Sequence, residues 1–107
     1  MNRIISQFEK SVYAACGKIP KGRLSTYAQI ARAIGKPQSA RAVGNALNKN
    51  PFAPRVPCHR VIRSDGSVGG FASGSAEKIK MLKKEGIAVK KGKVNNFKEI
   101  FFRLNYR

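Results

Sequence analysis

Apolar residues in this chain recur at helical spacing only in short runs, and each run is closed by glycine or proline, which restricts it to a cluster of short helices. From Ile4 through Phe8 and Val12 to Ala15 they fall every three or four positions, as on one buried helix face, and Gly17 ends the run. Thr26 is placed to cap a second helix, with Gln29 three residues on in a capping-box arrangement. Tyr27, Ile30, Ala31 and Ile34 follow, and Gly35 is the stop. After the turn Lys36-Pro37-Gln38, Ser39 is the cap expected for a third helix over residues 40–49, with Val43 and Leu47 inward and Arg41, Asn45 and Asn48 outward. Two short helices across a tight turn make a helix-turn-helix arrangement. At 107 residues and 42% apolar content, the chain builds one small domain, residues 1–107, with no room for a second.

The third helix is slim, because Ala40, Ala42, Gly44 and Ala46 leave it nearly bare around Arg41. That suits either close packing on a neighbouring helix or entry into a groove only about 6 Å wide. Asn50-Pro51 and Pro54 then open an irregular stretch leading to residues 56–62, whose β-branched ends suggest a short extended or turn-flanked segment. Asp65-Gly66 signals a turn. Gly69-Gly70-Phe71 and Gly74 make a loop on which a flat ligand can lie, without the spacing or the Lys-Ser/Thr ending of a phosphate-binding P-loop. Ser75 is read as the cap of a fourth helix through Ile79 and Leu82 to Glu85, stopped by Gly86. Apolar runs around Lys91-Gly92 suggest a hairpin, and Phe97, Ile100, Phe101 and Leu104 have the spacing of a final amphipathic helix.

Twenty-two Lys and Arg against five acids give a formal net charge of +17, spread from Arg3 to Arg107. A polyanion is the partner such a balance favours, a generally basic surface being the plain alternative. The fold class expected is mainly α with a small β element, a helix-turn-helix or winged-helix-like DNA-binding domain. No stretch approaches the roughly 18 apolar residues of a membrane span, and the first ten residues lack the apolar core of a signal peptide. Cys16 and Cys58 are read as free thiols in a reducing compartment, cytoplasmic or nuclear.

Pro57-Cys58-His59-Arg60-Val61 sets a thiol beside the only histidine. One His and two Cys distant in sequence, with no CxxC or HxxxH pair, do not supply a zinc site, so no metal is expected. An ordinary cysteine, with a pKa near 8.5, is only about 3% thiolate at pH 7, so a nucleophilic Cys58 needs a base or cations nearby. His59 and Arg60 can supply either. Successive side chains of extended backbone point to opposite faces, so Cys58 reaches His59 only through a turn or a water. A carboxylate would orient His59, and of Glu9, Asp65, Glu77, Glu85 and Glu99 the choice is Glu85, ending a helix beside Gly86.

The chain resembles the active domain of the O6-alkylguanine-DNA alkyltransferases. The likeness runs in order through Ile19-Pro20-Lys21-Gly22, Ser25-Thr26-Tyr27, Ala40-Arg41-Ala42-Val43-Gly44, Asn50-Pro51, Pro57-Cys58-His59-Arg60-Val61-Ile62, Val68-Gly69 and Glu85-Gly86, over about residues 6 to 90. It implies that Cys58 accepts an alkyl group from O6 of guanine in one irreversible step, with His59 taking the thiol proton through a water and Glu85 orienting His59. Tyr27 would assist departure of the guanine, and Asn50 would brace the nucleophile's loop. Arg41 would replace the extruded nucleotide in the stack, with Ala40, Ala42, Gly44, Asn45 and Thr26 along the DNA. Val61, Val68, Gly69, Phe71 and Ala72 would line the pocket, the carbonyls of Cys58 and Val61 receiving the guanine amino group. The implied partner is double-stranded DNA containing O6-alkylguanine, bound by a monomer without cofactor.

Three departures stand out. Relatives usually carry a further N-terminal domain, Phe71-Ala72-Ser73 replaces a common Tyr-Ser-Gly, and residues 91–107 have no family motif. Alkyltransferase-like proteins, which bind O6-alkylguanine and flag it for excision without repairing it, are the main rival; they typically carry Trp or Ala where this chain has Cys58. A winged-helix regulator would show larger base-reading side chains on the third helix, and a Cys-His hydrolase would turn over repeatedly.

Overall fold

A computed structural model describes residues 4–70 and 74–104, a mixed helical fold with two small sheets. Helix α1 (Gln7–Cys16) starts at a full capping box that the apolar pattern did not reveal: the Ser6 hydroxyl accepts from the Glu9 amide, and the Glu9 carboxylate accepts from the Ser6 amide, both at 3.0 Å. The cap leaves Ile4 outside the helix and 92% exposed, so the expected inward Ile4 gives way to Ile5, which packs on the core. Gly17 is the C-cap, as expected.

Strand β1 (Ser25–Thr26) leads directly into α2 (Tyr27–Ala33), where the Thr26 hydroxyl accepts from the Gln29 amide. The Gln29 amide nitrogen, expected near the cap, donates to the Leu104 carbonyl at 3.3 Å. Gly35, at φ +78°, lets the amides of Gly35 and Lys36 return to the carbonyls of Arg32 and Ala31, a Schellman ending. Helix α3 (Ala40–Asn48) follows. Ser39 occupies its N-cap position without capping it, because its hydroxyl donates instead to the Lys36 carbonyl at 2.7 Å. Val43, Ala46 and Leu47 are buried, while Arg41, Asn45 and Asn48 face out.

A 3-10 turn (Cys58–Arg60) runs into β2 (Val61–Ile62), which pairs parallel with β1, Ser25 opposite Val61 and Thr26 opposite Ile62. Alternation along β2 sends Val61 into a core with Val12, Cys16, Ile19, Ile30, Val43 and Leu47, and Ile62 into a second with Leu24, Val68, Leu82, Ile87 and Val94. The two-stranded sheet is therefore the seam between the cores.

Helix α4 (Ser75–Lys84) has Gly74 at its N-cap, not Ser75, whose hydroxyl reaches back to the Gly69 carbonyl at 3.3 Å. It ends in a second Schellman turn: Gly86, at φ +86°, lets the amides of Gly86 and Ile87 return to the carbonyls of Lys83 and Leu82, and Ile87 and Leu82 share the second core. The expected hairpin forms from β3 (Val89–Lys90) and β4 (Lys93–Val94), with Lys91 and Gly92 both at positive φ. The final helix is shorter than its apolar spacing suggested. Helix α5 (Phe97–Ile100) is a single turn, after which Phe101 is extended and bridges to Leu24, and Leu104 is buried in the first core. Pairing with Leu24 satisfies those backbone groups outside a helix, so residues 101–104 close the molecule as a strap.

Candidate active site

The segment carrying Cys58 and His59 is a 3-10 turn and not an extended strand, so the opposite-face geometry of extended backbone does not apply to it. Cys58 is 6% exposed and His59 3%, both at the edge of the first core. His59 Nε2 lies 2.8 Å from Glu85 Oε2, so the carboxylate selects the tautomer with its proton on Nε2. Nδ1 is then an acceptor, buried and without a protein partner among the described residues. Burial lowers the His59 pKa below its ordinary 6.5, outweighing the opposing pull of Glu85, so the ring is neutral at neutral pH.

Glu85 stands where it does because it is the C-cap of α4, held by the Schellman turn. Arg60 grips it with Nε at 3.0 and 3.2 Å and a terminal nitrogen at 2.7 Å, while its other terminal nitrogen donates to the Ile19 carbonyl at 2.8 Å. The Gly22 amide adds a longer contact at 3.4 Å. Burial would raise the Glu85 carboxyl, but hydrogen bonds from Arg60 and then His59 overcome it and hold the pKa at about 2. Arg60 thus orients the carboxylate that orients the imidazole.

Tyr27 opens α2, its ring beside Gly44 of α3 and its hydroxyl beside Gly69, where an added Cβ would meet the oxygen at 3.2 Å. Gly44 therefore packs on Tyr27 as well as thinning the outer face of α3. The residue that the motifs did not single out is Lys78. Fully buried on α4, it donates to the Tyr27 hydroxyl at 3.1 Å and to the carbonyls of Val61 at 2.7 Å and Gly70 at 3.1 Å. Burial brings its pKa down to about 8 and pushes that of Tyr27 up. A signal was present in the spacing: Lys78 falls four residues before Leu82, on the inward face of α4.

Asn50 accepts from the Phe52 amide at 2.9 Å and donates to the Val56 carbonyl at 2.8 Å, spanning the irregular stretch before Cys58. Arg41, Ala42 and Asn45 lie exposed on α3 with Ala40 half-buried, whereas Thr26 is buried as the α2 cap. Val61 and Val68 are buried and Gly69 half-buried; Phe71 and Ala72 lie outside the described residues. The Val61 carbonyl already carries the Lys78 bond, leaving its second lone pair for another donor. Cys16, the second thiol, lies in the same core as Cys58, where burial raises its pKa to about 12. Among the described residues no group of three His, Cys, Asp or Glu side chains is placed to hold a metal, and no helix is long and apolar enough to cross a membrane.

Residues 7–87 match the family model described as 6-O-methylguanine DNA methyltransferase, DNA binding domain. A methylated-DNA–protein-cysteine methyltransferase of Methanosarcina acetivorans is 51% identical over 81 residues, covering 76% of this chain and 52% of that protein. The chain spans about half the length of the Methanosarcina relatives it matches. Among solved structures, Schizosaccharomyces pombe Atl1 in complex with damaged DNA containing O6-carboxymethylguanine superposes with a TM-score of 0.82 at 33% identity, covering 94% of this chain and 99% of that one. Mycobacterium tuberculosis OGT in complex with DNA gives 0.73 at 42% identity over 75% of this chain and 50% of that one. The chain belongs to the 6-O-methylguanine DNA methyltransferase family, in its DNA-binding domain.

Proposed function

We propose that this protein repairs DNA by moving an alkyl group from O6 of guanine onto Cys58, once per molecule. The observation that carries the reading is the orphaned Nδ1 of His59, a neutral and buried acceptor one residue from the thiol, whose other nitrogen is locked on Glu85. A water between them takes the Cys58 proton toward Nδ1. The thiolate attacks the alkyl carbon, the carbon–O6 bond breaks, and its electron pair leaves with the guanine. Tyr27 delivers the balancing proton to guanine N3. Because its hydroxyl oxygen accepts from Lys78, its own proton points elsewhere and is free to be given. The product thioether has no easy hydrolysis route, so the protein is consumed.

An alkylated base inside a duplex is out of reach, and its extrusion costs a few kcal/mol, least where pairing is already damaged. In this reading α2 and α3 act as a helix-turn-helix whose second helix enters the minor groove: Ala40, Ala42 and Gly44 keep it slim, Asn45 and the helix's cationic surroundings meet phosphates, and Arg41 fills the vacated stack. Thr26 contributes by capping α2 at that surface. In this reading Val61, Val68 and Gly69 line the guanine pocket, and Asn50 steadies the loop before Cys58. The protein works as a monomer, without metal or cofactor, in the compartment that holds the DNA.

A second reading has its own support, since the superposition on Atl1 runs almost end to end in both chains. In it the protein binds O6-alkylguanine and flags it without repair. Incubation with a duplex containing O6-methylguanine separates the two. Repair adds one methylene of mass to the peptide holding Cys58, and Cys58→Ala abolishes the adduct while keeping lesion binding. Tight lesion binding without any adduct on the unaltered protein would establish the sensor.

A further inference from the structure

Between α2 and the C-terminal strap lies a cleft of about 400 Å³, within the range of about 300 to 1,000 Å³ in which small ligands are commonly held. Its far wall, with Phe97, Lys98 and Phe101, comes from beyond the segment matched by the family model. That wall is firmly mounted. Arg23 donates to the carbonyls of Ile100 and Phe101 at 3.0 Å each, and the Leu24 amide donates to Ile100 at 3.0 Å. The near wall offers Arg32 of α2 and the hydroxyl-bearing Ser64. Arg32 and Lys98 are exposed, and neither forms an ion pair among the described residues. Phe97 and Phe101 meet edge to face, centroids 5.5 Å apart at 73°, so the ring giving its edge keeps its faces unstacked by its partner.

Cations at the rim and aromatic rings on the wall are what an unpaired nucleotide requires: a charge partner for its phosphate and a flat apolar surface for its base. We propose that this cleft is a second nucleotide subsite, holding one unpaired nucleotide of the bound strand, its phosphate between Arg32 and Lys98 and its base against the phenylalanine pair. The assignment rests on the DNA-repair reading, because the cleft continues the surface of α2. It gives the strap a task beyond closing the core: gripping damaged DNA where strands are parted.

The test compares a blunt lesion duplex with the same duplex carrying a short single-stranded extension, by fluorescence anisotropy over a salt series. Wild type is expected to bind the extended DNA about tenfold more tightly. Phe97→Leu, which keeps apolar volume in a partly buried position but removes the ring, abolishes that preference. Lys98→Ala weakens it and lowers the salt slope by about one. Lys80→Ala, an exposed charge on α4 outside the cleft, leaves the preference in place. Equal affinity of wild type for both DNAs, or a preference untouched by Phe97→Leu, overturns the subsite alone. Failure of wild type to bind either DNA or to take an alkyl group overturns the repair reading beneath it. If a free deoxynucleoside monophosphate shifts the Phe97 and Phe101 ring resonances and competes as well as the extended strand, the cleft belongs to a free nucleotide, and the strand assignment falls.

Discussion

The Lys78 ammonium sits 3.1 Å from the Tyr27 hydroxyl and 5.5 Å from the centre of its ring, joining α4 to the first residue of α2. Lys78 is fully buried and Tyr27 half-buried, and burial has brought the lysine to about 8. A protonated Lys78 makes Tyr27 an acceptor on one side and so a donor on the other.

Transfer is therefore expected to slow as pH rises through about 8, where Lys78 gives up its proton. Stability moves the opposite way. Between about 8 and its ordinary 10.5, the unfolded chain holds a proton the folded chain lacks, so this group adds stability as pH rises through that window. Single-turnover rates and urea midpoints across the same pH range separate the two effects. Lys78→Met, which keeps the length and drops the charge, should fold and transfer about a hundredfold more slowly, with the alkaline fall in rate gone. Retention of that fall in Lys78→Met would assign it to another group.

Glu85 predicts acid lability. Held at about 2, its carboxyl binds a proton less readily than at its ordinary 4.5, so the unfolded chain takes up protons first as pH falls. Its contribution is complete above about 4.5 and lost between there and about 2. His59, lowered from 6.5 by burial, adds to the loss on the acid side. Glu85→Gln leaves Arg60 without its counter-charge and should cost about 2 kcal/mol at neutral pH, while flattening stability between pH 4.5 and 2. Chemical denaturation of both proteins at pH 7 and pH 3 reads both effects.

Much of this architecture was legible because it rests on local chemistry: Thr26 capping α2, Gly35 and Gly86 at left-handed stops, Lys91-Gly92 turning a hairpin. What escaped depended on distant partners. Ser39 and Ser75 look like caps, yet each hydroxyl finds a carbonyl in a preceding turn or loop. Phe101 and Leu104 carry helical spacing, but pairing with Leu24 draws the chain out straight. The His59 and Glu85 contact matches the choice of Glu85 among the five acids, made because it ends a helix beside Gly86 and supported by the family resemblance. Arg60 as the clamp on that glutamate, and Lys78 beneath Tyr27, required contacts made across 25 and 51 residues of sequence, which spacing does not reveal.

Arg41 is exposed on the outer face of a helix that has little else to offer. If its side chain occupies the space of the extruded nucleotide, its loss matters only where a nucleotide must be extruded. Arg41→Ala should slow transfer from duplex at least tenfold while barely changing transfer from free O6-alkylguanine base, the difference being a share of the few kcal/mol that flipping costs. Equal slowing on both substrates would place Arg41 in the chemistry or the fold and remove it from the flipping step.

Gly69 offers a test of the Tyr27 position that leaves both functional side chains intact. At φ +73° a side chain is strained by roughly 1–2 kcal/mol, and the added Cβ would come within 3.2 Å of the Tyr27 oxygen. The hydroxyl cannot retreat freely, because Lys78 holds it from the α4 side and Gly44 lies against the ring. Gly69→Ala should therefore lower the thermal midpoint by several degrees and displace the hydroxyl from the guanine edge. If Tyr27 supplies the leaving proton, the consequence for chemistry is selective: transfer from O6-methylguanine should slow, while alkylation of Cys58 by iodoacetamide, which needs only the thiolate, should proceed at its original rate. If both rates fall together, the loop supports Cys58 itself and the proton-donor role of Tyr27 loses its support.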